Sequence, residues 1–200
     1  MSTALNGYGI RPAYSPQHNA APRTYPNGIA SGYATGILKY QPVSLNSAGQ
    51  IVAATANSDW LGVFAGVKYV DLSGIPHSYD QWIAGTVYTN NGTFSGNYGI
   101  EVSVWDDPNM VFTIQADGSL AQSLGGQVDF SSITAGSTTT GLSACTASAS
   151  SLTTSGQKQL RIVELSLSPA LNGTNTWGDA FTEIKVMNAR HQFIANKVAV

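Results

Sequence analysis

Apolar residues in this chain come in short runs at alternating or contiguous positions, each closed by a polar or glycine-bearing turn. No window holds a 3.6-residue period with end caps over more than three turns, so the pattern predicts strands. Ile37-Leu38-Lys39-Tyr40 leads through Pro42 into Val43-Ser44-Leu45, and Ser47-Ala48-Gly49 turns the chain into Ile51-Val52-Ala53-Ala54. Asn57-Ser58-Asp59 turns again before the run from Trp60 to Val70, which is β-branched, aromatic and interrupted by Gly62 and Gly66. That composition predicts a buried strand bent or bulged at one of the two glycines. Asn90-Asn91-Gly92 marks a turn between Thr86-Val87-Tyr88 and Thr93-Phe94. Asp117-Gly118, between Met110–Ala116 and Ser119-Leu120-Ala121, predicts a two-residue hairpin. Leu160–Leu167 and Glu183–Met187 supply the last strands, and Asp129–Ser132 is read as the start of one short helix. The expectation is an all-β protein, a β-sandwich or jelly-roll-like barrel, with Trp60, Phe64, Val111, Phe112 and Ile114 in its core.

Two segments depart from this pattern. Residues 1–27 carry Pro12, Pro16, Pro22 and Pro26, three tyrosines, two arginines and no acid. Proline fixes φ and removes a donor, which suits neither a helix nor a central strand. An extended arm fits, with a reach of up to about 90 Å at about 3.3 Å per residue. A frayed terminus is the competing reading; tyrosines on a proline-stiffened strip favour an arm lying on a neighbouring protein. The second segment, 131–157, is almost wholly Ser, Thr, Ala and Gly around Leu142, Cys145 and Leu152, and is compatible with a linker, a long loop or an exposed sheet region. The organisation expected is an arm at 1–27 and a single β-domain at 28–200.

Charge narrows the function classes. Asp, Glu, Lys and Arg make up 10% of the 200 residues, against roughly 25% in ordinary soluble domains. The nine basic residues are dispersed and the formal net charge is -2, so no nucleic acid or anionic membrane surface is expected as a partner. The 42% hydrophobic content is enough for a core. The residues Met1–Gly7 lack the features of a secretion signal, and the apolar stretch from Leu61 to Val70 is far short of the ~20 residues that span a bilayer. The protein is therefore expected to be made and used without crossing a membrane by itself. On that reading Asn91-Gly92-Thr93 and Asn172-Gly173-Thr174 are Asn-Gly turns and not glycosylation sites.

Little chemistry is written into the chain. Asp106-Asp107-Pro108-Asn109 holds the one carboxylate pair, and it reads as a turn, because neighbouring residues of an extended chain face opposite ways. His18, His77 and His191 have no ligand at metal-binding spacing. Cys145 has no adjacent charge to activate it and reads as a buried or idle thiol. Neither a Gly-x-Ser-x-Gly elbow nor a phosphate-cradling glycine loop is present. Catalytic residues, cofactors and metals are all expected to be absent. A hydrolase would need folding to gather Asp59, Asp106 or Asp107 with Glu101. Trp60, Trp82, Trp105 and Trp177 could stack on sugar rings if exposed, although core packing is the commoner fate of tryptophan.

Several motifs together resemble a known group of proteins. They are Leu61-Gly62-Val63-Phe64-Ala65-Gly66-Val67, Trp105-Asp106-Asp107-Pro108-Asn109-Met110-Val111-Phe112 and the block Ile114 to Gln122. Gln159-Leu160-Arg161-Ile162-Val163, Trp177-Gly178-Asp179-Ala180-Phe181 and Ala189-Arg190-His191-Gln192 belong with them. Over roughly Gly36 to Gln192 the chain resembles head decoration, or cement, proteins of tailed bacteriophages. The resemblance implies a virion structural protein with no catalysis, made in the host cytoplasm and bound to the outside of the capsid, with the major capsid protein as partner. Added to the composition of the arm, it gives Tyr8, Arg11, Tyr14, Arg23 and Tyr25 as expected capsid contacts. Self-association is expected too, as a homotrimer or, next, a dimer, since a closed oligomer engages several shell subunits at once. The alternative is a sugar- or host-surface-binding module displayed on the virion.

Overall fold

The alternating pattern becomes short antiparallel strands in a computed structural model, which describes residues 5–16, 21–90, 94, 98–167 and 175–194. In chain order they are β1 (Arg11–Tyr14), β2 (Arg23–Pro26), β3 (Pro42–Leu45), β4 (Ile51–Ala53), β5 (Gly62–Val70), β6 (Pro76–Tyr79), β7 (Ile100–Trp105) and β8 (Val111–Gln115). β9 (Gln127–Val128), β10 (Phe130–Ser131), β11 (Gly136–Ser137), β12 (Leu142–Ser143), β13 (Thr146–Ala147), β14 (Leu160–Leu165) and β15 (Glu183–Asn188) follow. A five-stranded sheet runs β1-β8-β15-β14-β9 and a six-stranded sheet runs β2-β7-β5-β3-β4, with β6 also paired to β5. β10-β13 and β11-β12 form two small sheets. The protein is all-β, as expected, and its sheets stay open: the arrangement is that of a sandwich, with no closed barrel.

Two apolar clusters hold it together. The first gathers Trp60, Phe112, Ile114, Phe130, Leu160, Ile162, Ile184 and Val186 on the five-stranded sheet. The second gathers Phe64, Val67, Ile100, Val102 and Trp82 on the six-stranded sheet. β5 serves both, because successive side chains of a strand face opposite ways: Val63 joins the first cluster and Phe64 the second. The expected bulge in β5 falls between Phe64 and Gly66. At Gly62 a Cβ would overlap the Trp105 carbonyl oxygen, so that close approach needs glycine. The five core residues named from sequence are all fully buried.

Some expectations fail for identifiable reasons. Asp117-Gly118 does not close a hairpin: β8 already has β1 on one edge and β15 on the other, so 119–121 has no open ladder to join. Asp117 instead receives the Ala149 amide on its side chain and donates its own N–H to the Ala147 carbonyl. The expected helix at 129–132 is absent; Phe130–Ser131 is β10, and Ser132 has a φ of 52°. Ile37–Tyr40 makes only isolated bridges, to Trp82 and Leu142, since Tyr40 leaves the extended region at a φ of 66°. The tract 131–157 is an ordered part of the body, with the end of β10, the three small strands β11, β12 and β13 and one 3-10 turn (Ala149–Ser151), and Ile133, Cys145 and Ala147 packed in the first cluster. The two Asn-Gly-Thr triplets lie outside the described residues.

Candidate protein-binding strap at the rim of both sheets

The residues that the sequence assigns to a neighbour-gripping arm lie, in this chain, along its own body. β1 is the outermost strand of the five-stranded sheet, with Arg11 opposite Thr113 and Pro12 opposite Phe112. β2 is the outermost strand of the six-stranded sheet, with Arg23 opposite Val104 and Pro26 opposite Glu101. The prolines explain the placement, because a residue without an N–H is tolerated at a sheet edge and blunts it against further pairing. Residues 11–14 and 23–26 are thus extended in backbone and work as a strap that touches both sheets. Ile10, fully buried in the first cluster, is its apolar anchor.

Tyr25 packs against the second cluster, and beyond the ladder bonds a row of strap side-chain and backbone donors reaches acceptors of the body. The Asn6 N–H donates to Gln115 Oε1 at 2.8 Å. The Tyr8 hydroxyl donates to Glu183 Oε1, whose partner oxygen Oε2 is buried without a donor. Tyr14 donates to Glu164 Oε1 at 3.3 Å, beneath the Lys185 ammonium that pairs with the same carboxylate at 2.8 Å. Ser15 Oγ donates to Asp107 Oδ2 at 2.6 Å. Tyr25 donates to Asp106 Oδ2, and the Arg23 guanidinium reaches that oxygen at 3.5 Å. Burial, then the hydrogen bond to Glu183, drives the Tyr8 phenol far above its ordinary range; burial and Asp106 do the same to Tyr25. Lys185 holds the Glu164 carboxyl below its usual value.

The structure thus gathers Tyr8 and Arg11 at one place, Tyr14 beside Glu164, and Arg23 with Tyr25 at Asp106. Arg11, Tyr14 and Arg23 keep exposed side chains on the rim. Sequence reasoning missed the acceptors Asp106, Asp107, Glu164 and Glu183, four of the eleven acidic residues. The clue was the acid-free composition of 1–27, which implies that its donors find carboxylates elsewhere. Asp106-Asp107 does form the expected turn, with Asp107 Oδ1 accepting the Asn109 amide, and both side chains also dock the strap.

Other candidate chemistry is absorbed by structure. Trp60 and Trp82 are fully buried, and Trp105 and Trp177 are partly buried. The Trp60 indole donates to the Gln159 carbonyl and that of Trp82 to the Tyr33 carbonyl. Cys145 is buried and its thiol is pushed up to about 12 by desolvation. His77 pairs with Asp71 and stacks on Tyr69, and His191 sits against the Asp106 carbonyl. His18 lies outside the described residues. No helix among the described residues is long and apolar enough to cross a membrane. Comparison with protein-family models, with curated proteins and with solved structures gives no match to the chain.

Proposed function

We propose that this protein is a virion structural protein that binds the outside of a phage capsid and stabilises contacts between major capsid protein subunits, acting without catalysis or cofactor. One observation carries the reading. The strap forms the outer strand of both sheets, so Arg11, Tyr14 and Arg23 are presented at the two rims by a frame that is itself fixed to the body. Aromatic and guanidinium groups with restricted rotamers are the side chains that bind proteins at low entropic cost. A second surface supports it: Leu72, Ile75, Ile83 and Val87 are exposed in the segments on either side of β6, the kind of apolar exposure that marks protein contact. Association into a homotrimer, or else a dimer, belongs to the same proposal.

Because Ile10 and both strap strands are part of the fold, deleting 1–27 would damage the body, and point changes make the sharper experiment. The triple variant Arg11→Ala, Tyr14→Ala, Arg23→Ala alters exposed side chains alone. Its occupancy on expanded empty heads, measured beside the unaltered protein, is expected to fall at least tenfold. Equal occupancy removes the strap from the mechanism, and failure of the unaltered protein to coat heads ends the decoration reading.

A further inference from the structure

Arg11 is the strap cation that the carboxylates of the body leave alone. Arg23, Lys39, Lys158, Lys185 and Arg190 each pair with a carboxylate. Arg11 has no carboxylate partner among the described residues. Its guanidinium carbon stands 4.7 Å from the centre of the Tyr8 ring and 5.4 Å from that of Tyr40, and its Nε makes only a long contact, 3.4 Å, to the Tyr8 carbonyl. Both rings are fixed independently of Arg11. Tyr8 is tied by its hydroxyl to buried Glu183. Tyr40 packs against the first cluster, and its backbone is held by its N–H donating to the Phe64 carbonyl and its carbonyl accepting the Ile10 N–H, at a positive φ that bulky residues rarely adopt. Gly9, also at positive φ, permits this: a Cβ there would stand 2.6 Å from the Tyr40 carbonyl oxygen. The planar fork of donors is therefore aimed before any ligand arrives.

Beside it runs a groove of about 460 Å³ whose walls include Asn6, Gly7, Ser137, Thr140 and Leu142. Hydroxyl and amide groups set beside Leu142, Ala144 and the Tyr8 ring suit a stretch of extended peptide. A guanidinium free of any internal anion suits a carboxylate, which it can grip through two parallel hydrogen bonds. A phosphate-rich polymer is disfavoured, since a lone arginine on a chain of net charge -2 offers no cluster for it.

We propose that Arg11 and this groove form a receptor site for a carboxylate side chain on an extended acidic segment of a partner protein. The proposal rests on the decoration reading only for the identity of that partner. It is tested by titrating the whole protein with acetylated hexaglutamate at low ionic strength, following the backbone amide resonances of residues 136–144. Saturable binding that weakens as salt is added is expected, with a tenfold or greater loss in Arg11→Ala. Arg11→Lys is expected to lose most of the affinity as well, because an ammonium keeps the charge without the fork or the stacking. No saturable binding, or equal binding by Arg11→Ala, overturns the site. Binding to expanded heads separates the two proposals: if the protein fails to coat heads while the peptide still binds through Arg11, the decoration reading falls and the site stands. If heads are coated equally with and without Arg11 and the peptide does not bind, the site falls and the decoration reading stands.

Discussion

β1 and its neighbour β8 lie in one ladder yet are held by different physics. In β8, Val111, Phe112 and Ile114 are no more than 1% exposed, and Phe112 and Ile114 pack among the side chains of the first cluster. In β1, Arg11, Ala13 and Tyr14 face water, and the strap around them depends on Ile10 and a row of hydroxyl- or guanidinium-to-carboxylate contacts. The same contrast separates β2 from β7 on the other sheet. Apolar burial contributes roughly 25 cal/mol per Å² and resists pH and salt, whereas a hydrogen bond to a charged group contributes about 1.5–3 kcal/mol and depends on protonation. The body is thus a permanent scaffold, and the strap is a part whose hold can be altered separately.

Core truncation should break the comparison from the scaffold side with the largest effect. Phe112→Ala removes a ring that packs against Trp60 and is expected to cost about 3–5 kcal/mol. Denaturant unfolding should show a lower midpoint at unchanged slope, with strap and body lost together. Separate transitions would mean that the strap does not depend on this core.

That contrast also explains what the chain revealed in advance. Strand patterning exposed β3, β4, β5, β14 and β15 because their apolar alternation is strong, and the bulge in β5 showed in its glycines. The proline content of 1–27 argued against helix and central strand, and β1 and β2 are edge strands, but an edge strand and an arm on a neighbour leave the same mark, so its position was hidden. Asp117-Gly118 misled because local turn chemistry cannot report that both edges of β8 are occupied from distant segments. The acceptor set was illegible for the same reason: Glu183 lies 175 residues from Tyr8. Tyr40, whose positive φ helps to frame Arg11, carries no sequence signal, because nothing in a tyrosine announces left-handed backbone.

Tyr8→Phe should break the comparison from the strap side, with an intermediate effect. It keeps the ring beneath Arg11 and removes the one donor that the described residues offer a buried carboxylate, which costs about 1–3 kcal/mol. Hydrogen exchange should quicken in β1 while β14 and β15 keep their protection. Alkaline titration sharpens the result. The docked Tyr8 and Tyr25 phenols resist ionisation, so a detached strap loses protons first once pH rises past about 10, the ordinary tyrosine value. Stability from these groups is therefore complete below that pH and declines above it. In Tyr8→Phe this alkaline slope should shrink, leaving the share due to Tyr25 and to the other groups that burial raises, Cys145, Tyr69 and Tyr88. An unchanged slope would show that Tyr8 is not held as the geometry has it.

Tyr14→Phe should produce the smallest change, and its smallness is informative. The Tyr14 hydroxyl reaches Glu164 at 3.3 Å, but Lys185 already satisfies that carboxylate at 2.8 Å and water reaches all three groups. Losing one contact of an exposed trio should shift stability by no more than about 0.5 kcal/mol. Glu164 itself titrates low because of Lys185, so its contribution is present above the ordinary carboxylate range and fades as pH falls through its lowered value, in wild type and variant alike. Acid unfolding curves of Tyr14→Phe and the unaltered protein should therefore nearly superimpose. A loss as large as that of Tyr8→Phe would make the exposed rim as cohesive as the buried seat of the strap, and would erase the distinction between a fixed scaffold and an adjustable edge.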